Sequence, residues 1–204
     1  MLHICQTSAR SALDAILRSM FAARKSVFVD LLKWDVPVLA DTYEIDQYDD
    51  AHATYLILAD PDGTHLGSVR LLPTTRPHIL GDFYPDLCEQ APPQAPDIHE
   101  ITRFCLDRRL RAAQRRQVRD TLVTALVDHA LAHGITAYSA IAEMGWMQQI
   151  LAFGWNCTLL GQPRRIDGTM LGALRIDIAP DTKALLAERG IVASTLRVHQ
   201  RVAA

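Results

Sequence analysis

The sequence predicts an α/β fold, a three-layer α/β/α sandwich around a mixed sheet. Three observations lead there. Apolar segments at 53–59 and 66–72 flank the turn Asp60-Pro61-Asp62-Gly63, which makes an antiparallel hairpin. A strand at 98–106, a helix at 114–133 and a strand at 135–142 follow one another, the order of a parallel crossover. Further helical stretches stand before the hairpin and after the crossover, enough to cover both faces of a sheet.

Taken in order, Leu13, Ile16, Leu17 and Met20 recur at helical spacing over residues 11–23, with Ser8 or Ser11 as cap. The helix continues through Phe28 and Leu32 and closes at Pro37. Residues 38–52 are too polar for a core strand and too poor in Gly and Ser for a linker, so they read as an ordered loop. After the hairpin, residues 73–96 hold six prolines and form a long irregular excursion. Loops of that length tend to be lids or binding walls. In the strand at 98–106, strict alternation puts Glu100 and Arg103 on opposite faces unless a bulge re-aims one of them. The helix at 114–133 carries Val118, Leu122, Ala125, Leu126 and Ala130 on one stripe and stops at Gly134. A short helix at 144–153 stops at Gly154. Residues 157–160 and 170–178 form a hairpin around Asp167-Gly168. A helix follows from Pro180 to Arg189, and an edge strand at 195–202.

The chain has 204 residues, 49% apolar and 22% charged, which suits one buried domain over 1–204. A net charge of −2 argues against bulk nucleic-acid binding. The N-terminus lacks a signal-peptide core and no apolar run is long enough for a membrane span. Four scattered cysteines without a CxxC pair imply reduced thiols and a cytoplasmic protein. The histidines form no metal-ligand cluster, so no metal is expected.

Between Trp34 and Arg70 there is no Lys or Arg, while Asp35, Asp41, Glu44, Asp46, Asp49 and Asp50 all fall there. Crowded carboxylates raise one another's pKa, so they need a cation. Arg70 is one candidate and a cationic ligand is another. By composition alone a solvated loop is the simpler reading. Against it stand Phe28, Trp34 and Tyr48, since aromatic faces beside carboxylates suit a soft cation such as a sulfonium. Glu100 beside Arg103 fits a structural ion pair or a general base acting on an amine. Arg108, Arg109, Arg111, Arg115, Arg116 and Arg119 crowd twelve residues at the start of the long helix, a place for an anionic partner or a solvated basic face. Cys105 and His99 fit packing better than catalysis.

Arg24, Phe28 and Trp34, then Glu44-x-Asp46-x-Tyr48-Asp49, then Arg70, Glu100 and Arg103, resemble the signature of the acyl-homoserine-lactone synthases, the autoinducer synthases of bacterial quorum sensing. The match covers about residues 20–110, with Gly154-Trp155 a further likeness. The resemblance implies an N-acetyltransferase-like fold and two substrates. These are S-adenosylmethionine and an acyl thioester, usually on acyl carrier protein and in some members on coenzyme A, with the carrier favoured here. The methionyl amine takes the acyl group, and lactone closure expels methylthioadenosine. No cofactor is implied, since S-adenosylmethionine is a substrate.

The resemblance assigns catalysis to Glu100, Arg103, Asp46, Asp49 and Arg70. It assigns S-adenosylmethionine to Arg24, Phe28, Trp34, Asp46, Arg103 and Phe104. Backbone amides of a bulged strand near Phe104 would meet the thioester oxyanion. The acyl pocket falls to Ala140, Trp146 and Met147, with Ala140 pointing to a chain without a 3-oxo group. Carrier docking falls to Arg108, Arg109, Arg111, Arg115 and Arg116. The acetyltransferases' Gly-rich pyrophosphate loop is replaced by RRLRAAQRRQ, which favours the carrier. An ordinary N-acetyltransferase using acetyl-coenzyme A and a non-enzymatic acyl-carrier-binding protein are the competing readings.

Overall fold

The computed structural model of the chain describes residues 1–6, 12–193 and 198–199. A strand, β1 (Leu2–Gln6), opens the chain, where no element was expected. Only Leu2 and Cys5 of it are buried, so its periodicity is too short to read. Helix α1 (Ala12–Arg24) follows. Leu17, Met20, Phe21 and Arg24 are its buried stripe, so an arginine stands at the last core-facing position. The helix then changes type. Lys25–Leu31 is a π-helix and ends the segment, well before Pro37. The acidic loop contains a two-residue ribbon, β2 (Val38–Leu39) with β3 (Tyr43–Glu44).

The hairpin is β4 (Thr54–Ala59) and β5 (His65–Pro73). Tyr55 to Ala59 are all fully buried, the pattern of a strand covered on both faces. The excursion that follows holds a short helix, α2 (Ile79–Phe83), and a 3-10 turn, Pro85–Leu87. Then come β6 (Ile98–Leu106), α3 (Ala112–His133), β7 (Ala137–Glu143) and α4 (Met144–Leu151). The chain continues through β8 (Asn156–Leu159), β9 (Arg164–Ile166), β10 (Thr169–Asp177), α5 (Thr182–Glu188) and β11 (Val198–His199). The tight turn at Asp167-Gly168 joins β9 to β10, while β8 pairs β10 farther along. Most of the strand expected at 195–202 lies outside the described residues.

Among the described residues the strands hydrogen-bond in the order β11-β1-β4-β5-β6-β7-β10-β8, with β9 on β10. The sheet is mixed: β6 runs parallel to β7, and β10 antiparallel to β7. This is the mixed-sheet α/β fold the sequence predicts.

The chain forms two compact units, each built from separate stretches. The first holds Met1–Arg70, Arg103–Val123 and the chain from Ala193; the second holds Leu71–Thr102 and Thr124–Val192. In the first unit α3 lies close on β5. A Cβ at Gly67 would come 2.5 Å from Val118 Cγ1 and 3.1 Å from both Leu106 and Leu122, so only glycine fits there. In the second unit the Tyr138 hydroxyl donates to the Leu126 carbonyl (3.0 Å) and ties β7 to α3. Leu80, Leu87 and Ala173 form a buried cluster there, joined by Tyr84, Cys88, Ile141 and Leu160.

Candidate active site

Arg24, Glu44, Arg103, Asp46, Arg70 and Asp49 close a ring of alternating charge in the first unit. Arg24 Nε donates to Glu44, and its two terminal nitrogens to Asp49 at 2.8 and 2.9 Å. Arg70 forks onto Asp46 at 2.6 and 3.0 Å and reaches Asp49 at 2.8 Å. Arg103 bonds Glu44 through Nε (3.1 Å) and Asp46 through Nη2 (2.8 Å). Three guanidiniums thus meet three carboxylates, and the acidity legible in residues 35–62 is neutralised at its core. The Arg24, Glu44, Arg70 and Asp49 side chains are essentially inaccessible, Asp46 is 5% exposed and Arg103 10%. The open edge of the ring is Arg103 with Asp46.

The local fold explains this convergence. Arg24 ends the buried stripe of α1, Glu44 ends β3, and Arg70 lies in β5. Asp46 and Asp49 sit in a turn they brace themselves: Asp46 accepts from the Tyr48 amide, and Asp49 from the Asp46 amide, both at 2.9 Å. Burial pushes the Asp49 carboxyl up, but Arg24 and Arg70 outweigh it and hold it well below the usual carboxylate range. Burial likewise lowers the Arg24 guanidinium, and Asp49 and Glu44 more than reverse it, so its charge is locked. The Tyr55 hydroxyl donates to Asp49 (2.8 Å), and burial and then that carboxylate push its pKa up. Tyr55 was not singled out in the sequence, because a strand tyrosine carries no mark of its partner.

Arg103 breaks its strand. Its φ of +51° is left-handed, which a non-glycine residue adopts at a cost, and the burial alternation of β6 fails there. The strict alternation of the strand is thus interrupted at Arg103, as the sequence reading allowed. Phe104, the next residue, is half-buried. The Arg103 guanidinium carbon lies 5.8 Å from both the Phe28 and Trp34 ring centres. Those rings stack 4.6 Å apart and 9° from parallel. The π-helix and the left-handed Lys33 make this possible: Trp34 folds back until its amide donates to the Phe28 carbonyl (2.8 Å). Phe28 packs below with Val27 and Cys105. Burial pushes the Cys105 thiol up to about 12, so it stays protonated at neutral pH.

Glu100 lies in the second unit and is buried. Its oxygens accept the Ile79 and Leu80 amides, both at 2.8 Å, at the first turn of α2. The acyl-pocket candidates are in the same unit. Ala140 is buried on β7, in register with Ile101 and Leu174. Met147 is buried, its methyl in the space that a side chain at position 172 would need. Trp146 is half-buried, edge-on to Phe153. Of the docking candidates, Arg108, Arg109, Arg111, Arg115 and Arg116 are all exposed. Arg109 is held by Asp107 (2.7 Å), and Arg119 by Asp120 (2.6 Å).

Residues 8–185 match the Autoinducer synthase family. An acyl-homoserine-lactone synthase of Ralstonia nicotianae is 32% identical over 178 residues, 85% of this chain and 87% of that one. An isovaleryl-homoserine lactone synthase of Bradyrhizobium diazoefficiens is 29% identical over 93% of this chain and 85% of its own. Among solved structures, BjaI, described as a CoA-dependent acyl-homoserine lactone synthase with SAM and isopentyl-CoA, superposes with a TM-score of 0.86 at 28% identity, covering 98% of this chain and 93% of that one. An acyl-CoA N-acyltransferase from Pseudomonas aeruginosa, at 15% identity and a TM-score of 0.60 over 88% of this chain and 99% of that one, shares the fold alone. This chain therefore belongs to the autoinducer synthase family, and it is an enzyme of the acyl-homoserine-lactone synthase kind.

Proposed function

We propose that the protein transfers an acyl group from a thioester to the amine of S-adenosylmethionine and closes the product to an N-acyl-homoserine lactone, releasing methylthioadenosine. The observation that carries this reading is the stacked Phe28–Trp34 pair with Arg103 against both rings. A resident guanidinium at that distance marks these faces as fit for a soft cation, and a sulfonium is one. The neutral ring of arginines and carboxylates changes the expected role of the acids. Asp46, Asp49 and Glu44 brace arginines, and Arg103 and Asp46 at the open edge are the charged groups left to orient substrate. Arg24, Arg70 and Asp49 act through that edge. Glu100 is assigned to proton transfer from the attacking amine, and Phe104 to the neighbourhood of the oxyanion. Ala140, Trp146 and Met147 are assigned to the acyl chain. The chemistry needs no metal or cofactor, because amine, thioester and sulfonium supply every reacting group.

For the donor we propose acyl-coenzyme A ahead of the carrier protein that the arginine-rich loop suggests. The reason is kinship: BjaI and MesI are both described as CoA-dependent. Exposed Arg108, Arg111 and Arg116 suit the phosphates of the one or the acidic surface of the other. Initial rates of methylthioadenosine release with matched acyl-coenzyme A and acyl-carrier-protein donors decide it. A higher kcat/KM with acyl-coenzyme A is expected. Turnover on the carrier alone, weakened by salt and by Arg111→Glu, reverses the choice. Acetyl-coenzyme A turnover without S-adenosylmethionine would instead support an ordinary N-acetyltransferase. Among the described residues, no helix is long and apolar enough to cross a membrane; a cytoplasmic site of action is part of the proposal.

A further inference from the structure

Helix α3 ends on two histidines, His129 and His133, four residues apart. That spacing puts both rings on one face of a helix, as in the HxxxH pairs that bind metals. The wide scatter of the histidines along the chain argues against a metal, but this pair stands apart from it. The two rings lie with their centres 4.1 Å apart and their planes 31° from parallel. His133 is exposed at the helix end, and its Nδ1 stands 2.8 Å from the His129 carbonyl oxygen. A carbonyl offers no proton, so Nδ1 donates and Nε2 is the nitrogen left to ligate. Metal-bound histidines are held in this way, by the other ring nitrogen on a backbone carbonyl. His129 is 8% exposed, and its Nδ1 is buried with no hydrogen-bond partner, which leaves Nε2. Two nitrogens at about 2.0–2.1 Å from one zinc ion stand about 3.0–3.4 Å apart. Rings with centres 4.1 Å apart meet that through small rotations. The last turn of a helix also favours a cation, because its free carbonyls carry partial negative charge.

We propose that His129 and His133 chelate one divalent transition-metal ion, with zinc as the test case, and that the ion clips the last turn of α3. The ligands are the two Nε2 atoms, and water completes the coordination. His99 on β6 interacts electrostatically with both histidines, and its Nδ1 is buried without a partner. Among the described residues, however, no three His, Cys, Asp or Glu side chains are placed to share a metal, so His99 is a neighbour and not a ligand. The adjacent carboxylate, Asp128, is exposed and pairs with Lys183 (2.7 Å). Imidazoles suit zinc, nickel and copper, whereas magnesium and calcium require oxygen ligands. The ion takes no part in the acyl transfer proposed above, and both ligands belong to the second unit.

The test is a titration of the metal-free wild-type chain with Zn²⁺ alone, read by calorimetry and by nitrogen NMR of the imidazoles. One saturable site per chain is expected, with the Nε2 signals of His129 and His133 moving and those of the other histidines still. The unfolding temperature should rise with Zn²⁺ concentration, as it does for any ligand of the folded state. Mg²⁺ should produce neither effect. His133→Ala removes an exposed side chain and should abolish both the saturable site and the thermal shift. His129→Gln should do the same, and its unfolding temperature without metal separates loss of a ligand from loss of the fold. Zn²⁺ bound equally by folded His133→Ala, or imidazole signals that move elsewhere, would mean an adventitious ion only and overturns the site. Absence of saturable binding to the wild-type chain overturns it as well. None of these outcomes depends on the synthase reading.

Discussion

Arg70 shows what the charged ring costs and contributes. Its guanidinium serves two buried carboxylates, so Arg70→Ala takes the shared cation from between Asp46 and Asp49 and leaves them to Arg103 and Arg24 alone. Removing one partner of a buried pair costs about 3–5 kcal/mol. Urea unfolding should show a loss of that order, and a variant within about 0.5 kcal/mol of wild type would deny the ring its structural role. Asp49 sets an acid limit. Its folded pKa lies below the unfolded one, so its stabilisation is complete above about pH 4 and drains away as pH falls below that. His65 acts in a higher window. Burial pulls it down to about 4, so the unfolded chain binds its proton first, and stability falls as pH drops from about 6.5 toward 4. Over that window His65 removes roughly 3 kcal/mol. His65→Gln should flatten the fall between pH 6.5 and 4, and an unchanged pH profile of unfolding contradicts a buried neutral His65. Every member of the ring could be named from the sequence, because the arginines and acids carry the family pattern. Their pairing could not. Whether an acid meets substrate or braces an arginine depends on contacts across up to 59 positions of chain, as for Glu44 and Arg103.

At the level of elements, the legible ones have long, regular periods. Helix α3 and strands β4 to β7 and β10 stand close to where periodicity puts them. The π-helix at Lys25–Leu31 was read as plain helix, because its wider turn leaves the apolar spacing of Val27, Phe28 and Leu31 almost unchanged. Its effect is local and chemical: it turns Phe28 inward and lets Trp34 return over it. Such turns recur at functional sites. Deleting Ser26, which lets the segment relax toward α-helix, should raise the apparent KM for S-adenosylmethionine far more than it lowers the unfolding temperature. Equal loss in both would make the π-helix merely structural. Strand β1, the short helix α2 and the short strand β9 were missed because each presents too few buried positions for a pattern. Gly67 shows a constraint that sequence alone does not reveal. Gly67→Ala drives a methyl into Val118 and should cost about 1–3 kcal/mol by overpacking, read by denaturant unfolding.

At the scale of the whole molecule, kinship and charge arrangement lead to the same chemistry by different routes. The sequence left two partners open for the crowded acids, Arg70 or a cationic ligand drawn by net charge. Arg70 takes that place together with Arg24 and Arg103, in a neutral, buried lattice that holds one arginine against two stacked rings. On the proposed function, substrate attraction rests on ring faces and directed hydrogen bonds, which salt screens little, whereas charge contacts of the exposed arginines near α3 are salt-sensitive. Phe28→Ala should therefore raise the KM for S-adenosylmethionine at low and high salt alike; a defect that disappears at high salt would restore the net-charge account. The most direct measurement uses S-adenosylmethionine labelled in the carbons of its aminocarboxypropyl chain and not in its S-methyl group, purified protein, and a panel of acyl thioesters, with products followed by mass spectrometry. The account predicts labelled N-acyl-homoserine lactone and unlabelled methylthioadenosine in equal amounts. Folded protein that yields neither, or that acylates another amine without consuming S-adenosylmethionine, contradicts it.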